Sequence, residues 1–172
     1  VRHIILTGFM ATGKSEVGRR LARSLRRAFV DTDALVEADA GRTVAEIFAT
    51  EGEPAFRARE RAAVARACAM PPAVIAIGGG ALVDPESRRT LAESGTIVCL
   101  QATPEEILRR VGDAASRPLL AAAKDRAERL ERVRGLLAER APVYALATHT
   151  VDTTGLDPDA VAARVRAVVE AG

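Results

Sequence analysis

Tryptophan is absent from this chain of 172 residues, and aromatic residues make up only 3% of it. Surfaces that bind single-stranded nucleic acid stack bases on aromatic platforms, so that class of function is disfavoured. An excess of charge of either sign is lacking too, since 25 Lys and Arg against 23 Asp and Glu leave a net charge of +2. Nothing in that balance demands a nucleic acid or an acidic membrane as partner. No apolar run approaches the length of a membrane span, and no basic-then-apolar segment of the signal-peptide kind opens the chain. A cytoplasmic protein without membrane attachment is the expectation. Cys68 and Cys99 form no Cys-x-x-Cys pair and read as buried free thiols in a reducing compartment. His3 and His149 have no partner at metal-ligand or nucleophile spacing, so neither a zinc site nor a Ser-His-Asp arrangement is legible.

What is present begins at residue 8. Gly8-Phe9-Met10-Ala11-Thr12-Gly13-Lys14-Ser15 is a complete G-x-x-x-x-G-K-S/T phosphate loop. It lies between the apolar run Ile4-Ile5-Leu6 and an amphipathic stretch starting near Lys14. A strand that delivers the chain into such a turn aims backbone N–H groups at phosphate oxygens, and the following helix adds its positive end. Lys14 then reaches the β- and γ-phosphates, and the Ser15 hydroxyl is placed to ligate Mg²⁺. Binding of a nucleoside triphosphate follows.

Short apolar runs recur at His3–Leu6, Ala28–Val30, Ala73–Ile77, Thr96–Leu100 and Thr148–Val151, with helical patterns between them. That alternation predicts a three-layer α/β fold of the P-loop NTPase type, a parallel five-stranded sheet with helices on both faces. Thr43–Glu46 and Thr103–Glu106 have capping-box form, and Asp157-Pro158 opens a last helix with Val161, Val165 and Val168 on one face. Gly95 is placed as the stop of a helix over 85–94. One domain over 1–172 is expected. It carries a helical substrate-binding insertion over about residues 33–68 and a mobile lid over about residues 112–124 that holds Arg117-Pro118.

Ligands of open parallel sheets sit beyond the strand ends. After the second strand stands Asp31-Thr32-Asp33. One carboxylate can hold water on Mg²⁺ while the other meets an acceptor hydroxyl, or one of them merely caps the next helix. After the third strand stands Gly78-Gly79-Gly80, which either brings backbone amides close to a ligand or makes a tight turn. Arginines abound, at 57, 59, 61, 109, 110, 117, 134 and 140. Most such residues are solvated surface charges. Arg57, Arg117 and Arg140 stand in segments expected to face the site, and an Arg fork matches a carboxylate or phosphate bidentately.

Taken in order, these residues resemble the shikimate kinase family. The match runs through the phosphate loop, Asp31-Thr32-Asp33, Ile47-Phe48, Gly52-Glu53, Phe56-Arg57, Glu60, Gly78-Gly79-Gly80, Arg117-Pro118-Leu119 and Arg140-Ala141-Pro142-x-Tyr144. The resemblance covers essentially the whole chain and implies ATP-dependent phosphorylation of the 3-hydroxyl of shikimate. It implies that Ser15 ligates Mg²⁺ and that Asp31 supports the ion through water. Asp33 would bind the shikimate hydroxyls and orient or deprotonate the acceptor. Arg57 and Arg140 would grip the carboxylate, with Gly79 and its neighbours Gly78 and Gly80 at the substrate. Gly8, Ala11, Thr12, Gly13, Lys14, Ser15 and Glu16 would meet the nucleotide, with Arg110 against the adenine and Arg117 closing over the phosphates. A monomer is expected, with no nucleic-acid partner.

Three positions depart from the family pattern. Ala11 stands where glycine is usual, which suits an L-residue if φ is negative. Glu16 stands where a hydroxyl residue is usual and is expected to face outward, leaving only its backbone to the nucleotide. Residues 153–156 carry no Arg beside the adenine. Other readings are a kinase for a different small polyol such as gluconate, against which Phe56-Arg57 and the triple glycine count, and a nucleotide-dependent switch without catalysis. Lys14, Ser15, Asp31, Asp33 and Arg117 together argue against the switch.

Overall fold

Ile4 and Leu6 leave one face of the first strand, β1 (His3–Gly8), and Ile5 leaves the other, yet all three are buried. A strand apolar on both faces belongs in the middle of a parallel sheet covered by helices on each side. That is its place in the computed structural model, which describes residues 2–112, 120 and 123–172. The other strands are β2 (Phe29–Asp31), β3 (Val74–Ala76), β4 (Gly95–Gln101) and β5 (His149–Asp152). All pairs are parallel, in the order β2-β3-β1-β4-β5. Ile5 lies opposite Ile75 of β3 and Ile97 of β4.

Helix α1 (Lys14–Leu25) follows β1, and α8 (Pro158–Ala171) closes the described chain. Both cover the face of Ile4 and Leu6, burying Val17, Leu21, Val161 and Val165 there. Each fully buried aliphatic side chain of this kind contributes roughly 1.5–3 kcal/mol. On the opposite face, Ile5, Ile75 and Ile97 pack with Val64 and Leu91. Those two come from α4 (Glu53–Cys68) and α5 (Pro85–Ser94).

The expected insertion is three helices, α2 (Thr32–Ala40), α3 (Val44–Glu51) and α4. They enclose a small core of their own from Val36, Ile47, Phe56 and Ala63. A fourth cluster joins Phe9 at the start of the phosphate loop to Ile107 of α6 (Pro104–Val111) and to Val133 and Tyr144 of α7 (Arg126–Tyr144). His3 is a tie within the fold. Its Nδ1 accepts the Ala73 N–H at 3.1 Å, so Nε2 donates to the Cys68 carbonyl at 3.1 Å. Among the described residues, no helix is long and apolar enough to cross a membrane.

Gly95 ends α5 as expected, in extended conformation at φ −168°. Glycine is required because β4 starts there against β1, and a Cβ would collide with the His3 carbonyl. Thr103 caps α6 by accepting from Glu106 N–H at 3.2 Å, but the box is only half formed. Glu106 turns instead to Arg109 and Arg110, and the Thr103 N–H donates to Thr154 Oγ1. At Thr43 both halves of the box are present. Most of the expected lid over 112–124, Arg117 included, lies outside the described residues.

Candidate active site

The sheet order puts β1 between β3 and β4: the chain runs from β1 out to the edge strand β2, returns to β3, then crosses to β4 and β5 on the other side of β1. In open α/β sheets, ligands bind beyond the carboxyl ends of the strands at such a switch point. The loop after β1, the Asp31-Thr32-Asp33 junction where β2 passes directly into α2, and the triple glycine after β3 all meet there.

Six of the described helices begin with a side-chain cap, supplied by Asp31, Thr43, Asp84, Thr103, Asp125 and Asp157. Helices α1 and α4 do not, α4 starting at Gly52. The N-cap of α1 is Gly13, φ +87°, with no side-chain bond to the first-turn amides, and that end of the helix adjoins the phosphate loop. Ala11 adopts φ +59°, the left-handed region that is unfavourable for an L-residue, so the condition for a comfortable alanine is not met. Thr12 Oγ1 donates to the Phe9 carbonyl at 2.7 Å and Lys14 Nζ to the Gly8 carbonyl at 2.6 Å, which fold the loop on itself. Burial pushes Lys14 below its ordinary pKa, opposed by Asp33 and Asp31.

Asp31 is the aspartate that caps the next helix, and it also meets Ser15 of the phosphate loop. One oxygen caps α2, accepting from Asp33 N–H at 2.9 Å and Ala34 N–H at 3.4 Å. The other accepts from the Ser15 hydroxyl at 3.3 Å. Among the described residues, no group of three or more His, Cys, Asp or Glu could cage a metal. One hydroxyl beside one carboxylate fits Mg²⁺, which keeps waters and binds phosphate oxygens rather than an all-protein cage.

Asp33 is half-buried, and its carboxylate accepts no hydrogen bond from the described residues. Burial first and Asp31 second raise its pKa, while Lys14 and Arg57 oppose them. It faces Gly78, where an added Cβ would lie 3.5 Å from Glu60 Oε2 and 3.8 Å from Asp33 Oδ1. Arg57 bonds Glu60 at 2.8 Å and Glu53 at 3.4 Å, and its guanidinium lies against Gly80. Glu60 is 3% exposed, and burial raises its pKa despite Arg57. Arg140 approaches the triple glycine from α7, its Cζ 5.2 Å from the centre of the Phe9 ring. It makes no ion pair among the described residues. A cavity of about 430 Å³ is bounded by Gly8, Lys14, Ser15, Gly78, Gly79 and Arg140. A second, of about 440 Å³, is bounded by Arg57, Arg61, Gly80 and Val83, so Arg57 and Arg140 flank the triple glycine from two sides.

Arg110 is tied to the phosphate loop, donating to the Ala11 carbonyl at 3.2 Å and to Thr153 Oγ1 and the Thr153 carbonyl at 2.9 and 2.7 Å. Glu16 borders the 430 Å³ cavity, but its carboxylate pairs with Arg20 at 3.1 Å and its side chain is 59% exposed. Arg59, Arg61, Arg109 and Arg134 are taken up by surface ion pairs. Sequence reasoning assigned no role to Glu60, Phe9, Tyr144 or Thr153. The motif that carries Glu60 and Tyr144 was visible, but only burial marks them as site residues.

A glycine phosphate loop between a parallel strand and a helix, with Lys14, Ser15 and Asp31 gathered at it, defines a P-loop phosphotransferase. A model described as shikimate kinase matches residues 10–170. The shikimate kinase of Pelotomaculum thermopropionicum is 45% identical over 159 residues, 92% of this chain and 90% of that protein. That of Symbiobacterium thermophilum is 50% identical over 149 residues, 86% of this chain and 83% of that protein. The structure of shikimate kinase from Acinetobacter baumannii in complex with shikimate superposes with a TM-score of 0.86 at 32% identity, covering 99% of this chain and 94% of that one. The chain belongs to the shikimate kinase family, and its activity is that kinase step of the shikimate pathway.

Proposed function

We propose that the chain transfers the γ-phosphoryl group of ATP to the 3-hydroxyl of shikimate, with Mg²⁺, and that the residues at the triple glycine hold the acceptor. Arg57 and Arg140 pair with its carboxylate, and Gly78, Gly79 and Gly80 let it approach the backbone. Asp33 accepts the proton of the acceptor hydroxyl as that oxygen bonds to phosphorus and the bridging oxygen of the nucleotide leaves. Lys14 and the α1 amides stabilise the charge that develops on the phosphate oxygens. Ser15, directly, and Asp31, through water, would hold Mg²⁺, which neutralises phosphate charge when bound. Gly8, Ala11, Thr12, Gly13 and the backbone of Glu16 meet the phosphates, with Arg110 on the adenine side. Every one of these groups comes from one chain, which supports action as a monomer. The free thiols Cys68 and Cys99 support a cytoplasmic location.

One observation carries the reading. Asp33, whose carboxylate accepts no hydrogen bond among the described residues, and two arginines converge on three successive glycines beside the phosphate loop. That set suits a small anionic polyol. The test is a coupled ADP-release assay with shikimate, quinate, gluconate and no acceptor. Turnover with shikimate far above the others is expected, and equal turnover with gluconate or with none overturns the acceptor assignment.

A further inference from the structure

Tyr144 is the last residue of α7, one turn beyond Arg140, so the two side chains leave the same face of the helix. It is 5% exposed, and its hydroxyl oxygen is buried with no hydrogen-bond partner among the described residues. Nearly all buried polar groups are bonded, so an exception calls for a reason. The phenol lies against Gly79, where an added Cβ would be 3.6 Å from both Cε1 and Oη. Arg140 borders the cavity beside that glycine and rests over Phe9, which shares a buried cluster with Tyr144. Burial raises the phenol's pKa, opposed by Arg140, whose guanidinium lies close enough to favour the charged form although no hydrogen bond of ordinary geometry joins the two here. Two groups one turn apart therefore reach Gly79 with hydrogen-bonding capacity in reserve.

We propose that Tyr144 is a positioning residue for the acceptor: its hydroxyl accepts an N–H bond from Arg140 when that guanidinium engages the acceptor carboxylate, while its ring backs Gly79. This rests on Arg140 and Gly79 as acceptor contacts. A phenol oxygen accepts from a cation as well as donating, which a phenylalanine of the same shape cannot do. An aromatic that only filled the core would serve equally well as phenylalanine, and removing an unbonded hydroxyl would leave the fold as stable or more so.

The experiment measures kcat and both KM values, with thermal unfolding, for the full chain and for Tyr144→Phe, Arg140→Ala and the double variant. Tyr144→Phe is expected to raise KM for shikimate about fivefold, the loss of one ordinary hydrogen bond. Its kcat and KM for ATP should stay within about twofold, with an unfolding midpoint unchanged or higher. In the Arg140→Ala background the same change should add little, because the two act as a unit. If Arg140→Ala raises KM for shikimate and Tyr144→Phe does not, the positioning role is overturned and the acceptor site stands. If Arg140→Ala leaves that KM unchanged, the acceptor reading itself fails and takes this inference with it. Equal rises in both KM values, a lowered midpoint, or full additivity with Arg140→Ala would each assign Tyr144 to the structure alone.

Discussion

The Arg57 guanidinium fills the space that a side chain on Gly80 would need. The glycine and the arginine are one device, since bulk at position 80 displaces the cation whether or not it strains the backbone. Gly80→Ala should therefore mimic Arg57→Ala. Both are expected to raise KM for shikimate by about tenfold or more while leaving KM for ATP nearly unchanged. Steady-state kinetics with each substrate varied would check this. A collapse of ATP affinity in either variant would move Arg57 into the nucleotide site.

Ala11 holds a left-handed conformation at φ +59°. That conformation costs an L-residue roughly 1–2 kcal/mol, part of which glycine gives back through its freer unfolded chain. Ala11→Gly should stabilise the protein by about 0.5–1 kcal/mol and raise the melting midpoint by about 1–3 °C. Calorimetry without nucleotide is the measurement, and a lowered midpoint would contradict the loop geometry.

Glu16 is linked through Arg20 to Asp159, with Arg20 at 3.1 Å from the first and 2.9 Å from the second. Exposed pairs of this kind contribute little to stability. Glu16→Thr should leave KM for ATP within about twofold, and a large drop would show that the carboxylate repels the nucleotide from inside the site.

Asp33 titrates above its ordinary value because burial and Asp31 disfavour its charged form. In its proposed role as proton acceptor it works only when ionised. The acid limb of kcat/KM for shikimate should thus lie above the usual aspartate range and vanish with the residual activity of Asp33→Asn. For stability the sign is reversed. A carboxyl with a raised folded value stabilises most below its unfolded pKa, and that contribution is lost as pH rises through the folded one. Asp33→Asn should therefore stabilise the fold relative to the parent at neutral pH, as urea titrations would show.

The central strands were legible because Ile4-Ile5-Leu6, Val74-Ile75-Ala76 and residues 97–100 are apolar on both faces, as a covered parallel sheet requires, whereas the edge strand β5 buries only Val151. Their spatial order was not, since neighbours such as Ile5 and Ile75 are far apart in the chain. The site was legible wherever chemistry is written in residue type: the phosphate loop, the paired aspartates, the three glycines. What escaped were effects that arise only from packing. Glu60 looks like any helical glutamate until it is found 3% exposed against Arg57. Gly95 is the helix stop its position suggests, but the reason it must be glycine emerges only where the His3 carbonyl lies against it. The half-formed box at Thr103 depends on Arg109 and Arg110 drawing Glu106 away, a competition that no four-residue motif contains.

The bare start of α1 has one more consequence. A side-chain cap stabilises a helix by about 1 kcal/mol, and Gly13 forgoes it where Asp31, two elements later, does not. In the proposed complex a phosphate group is to α1 what the Asp31 carboxylate is to α2. The nucleotide is then also a piece of secondary structure that arrives from solution, and the stiffness of the first helix becomes a gauge of how much ATP is bound.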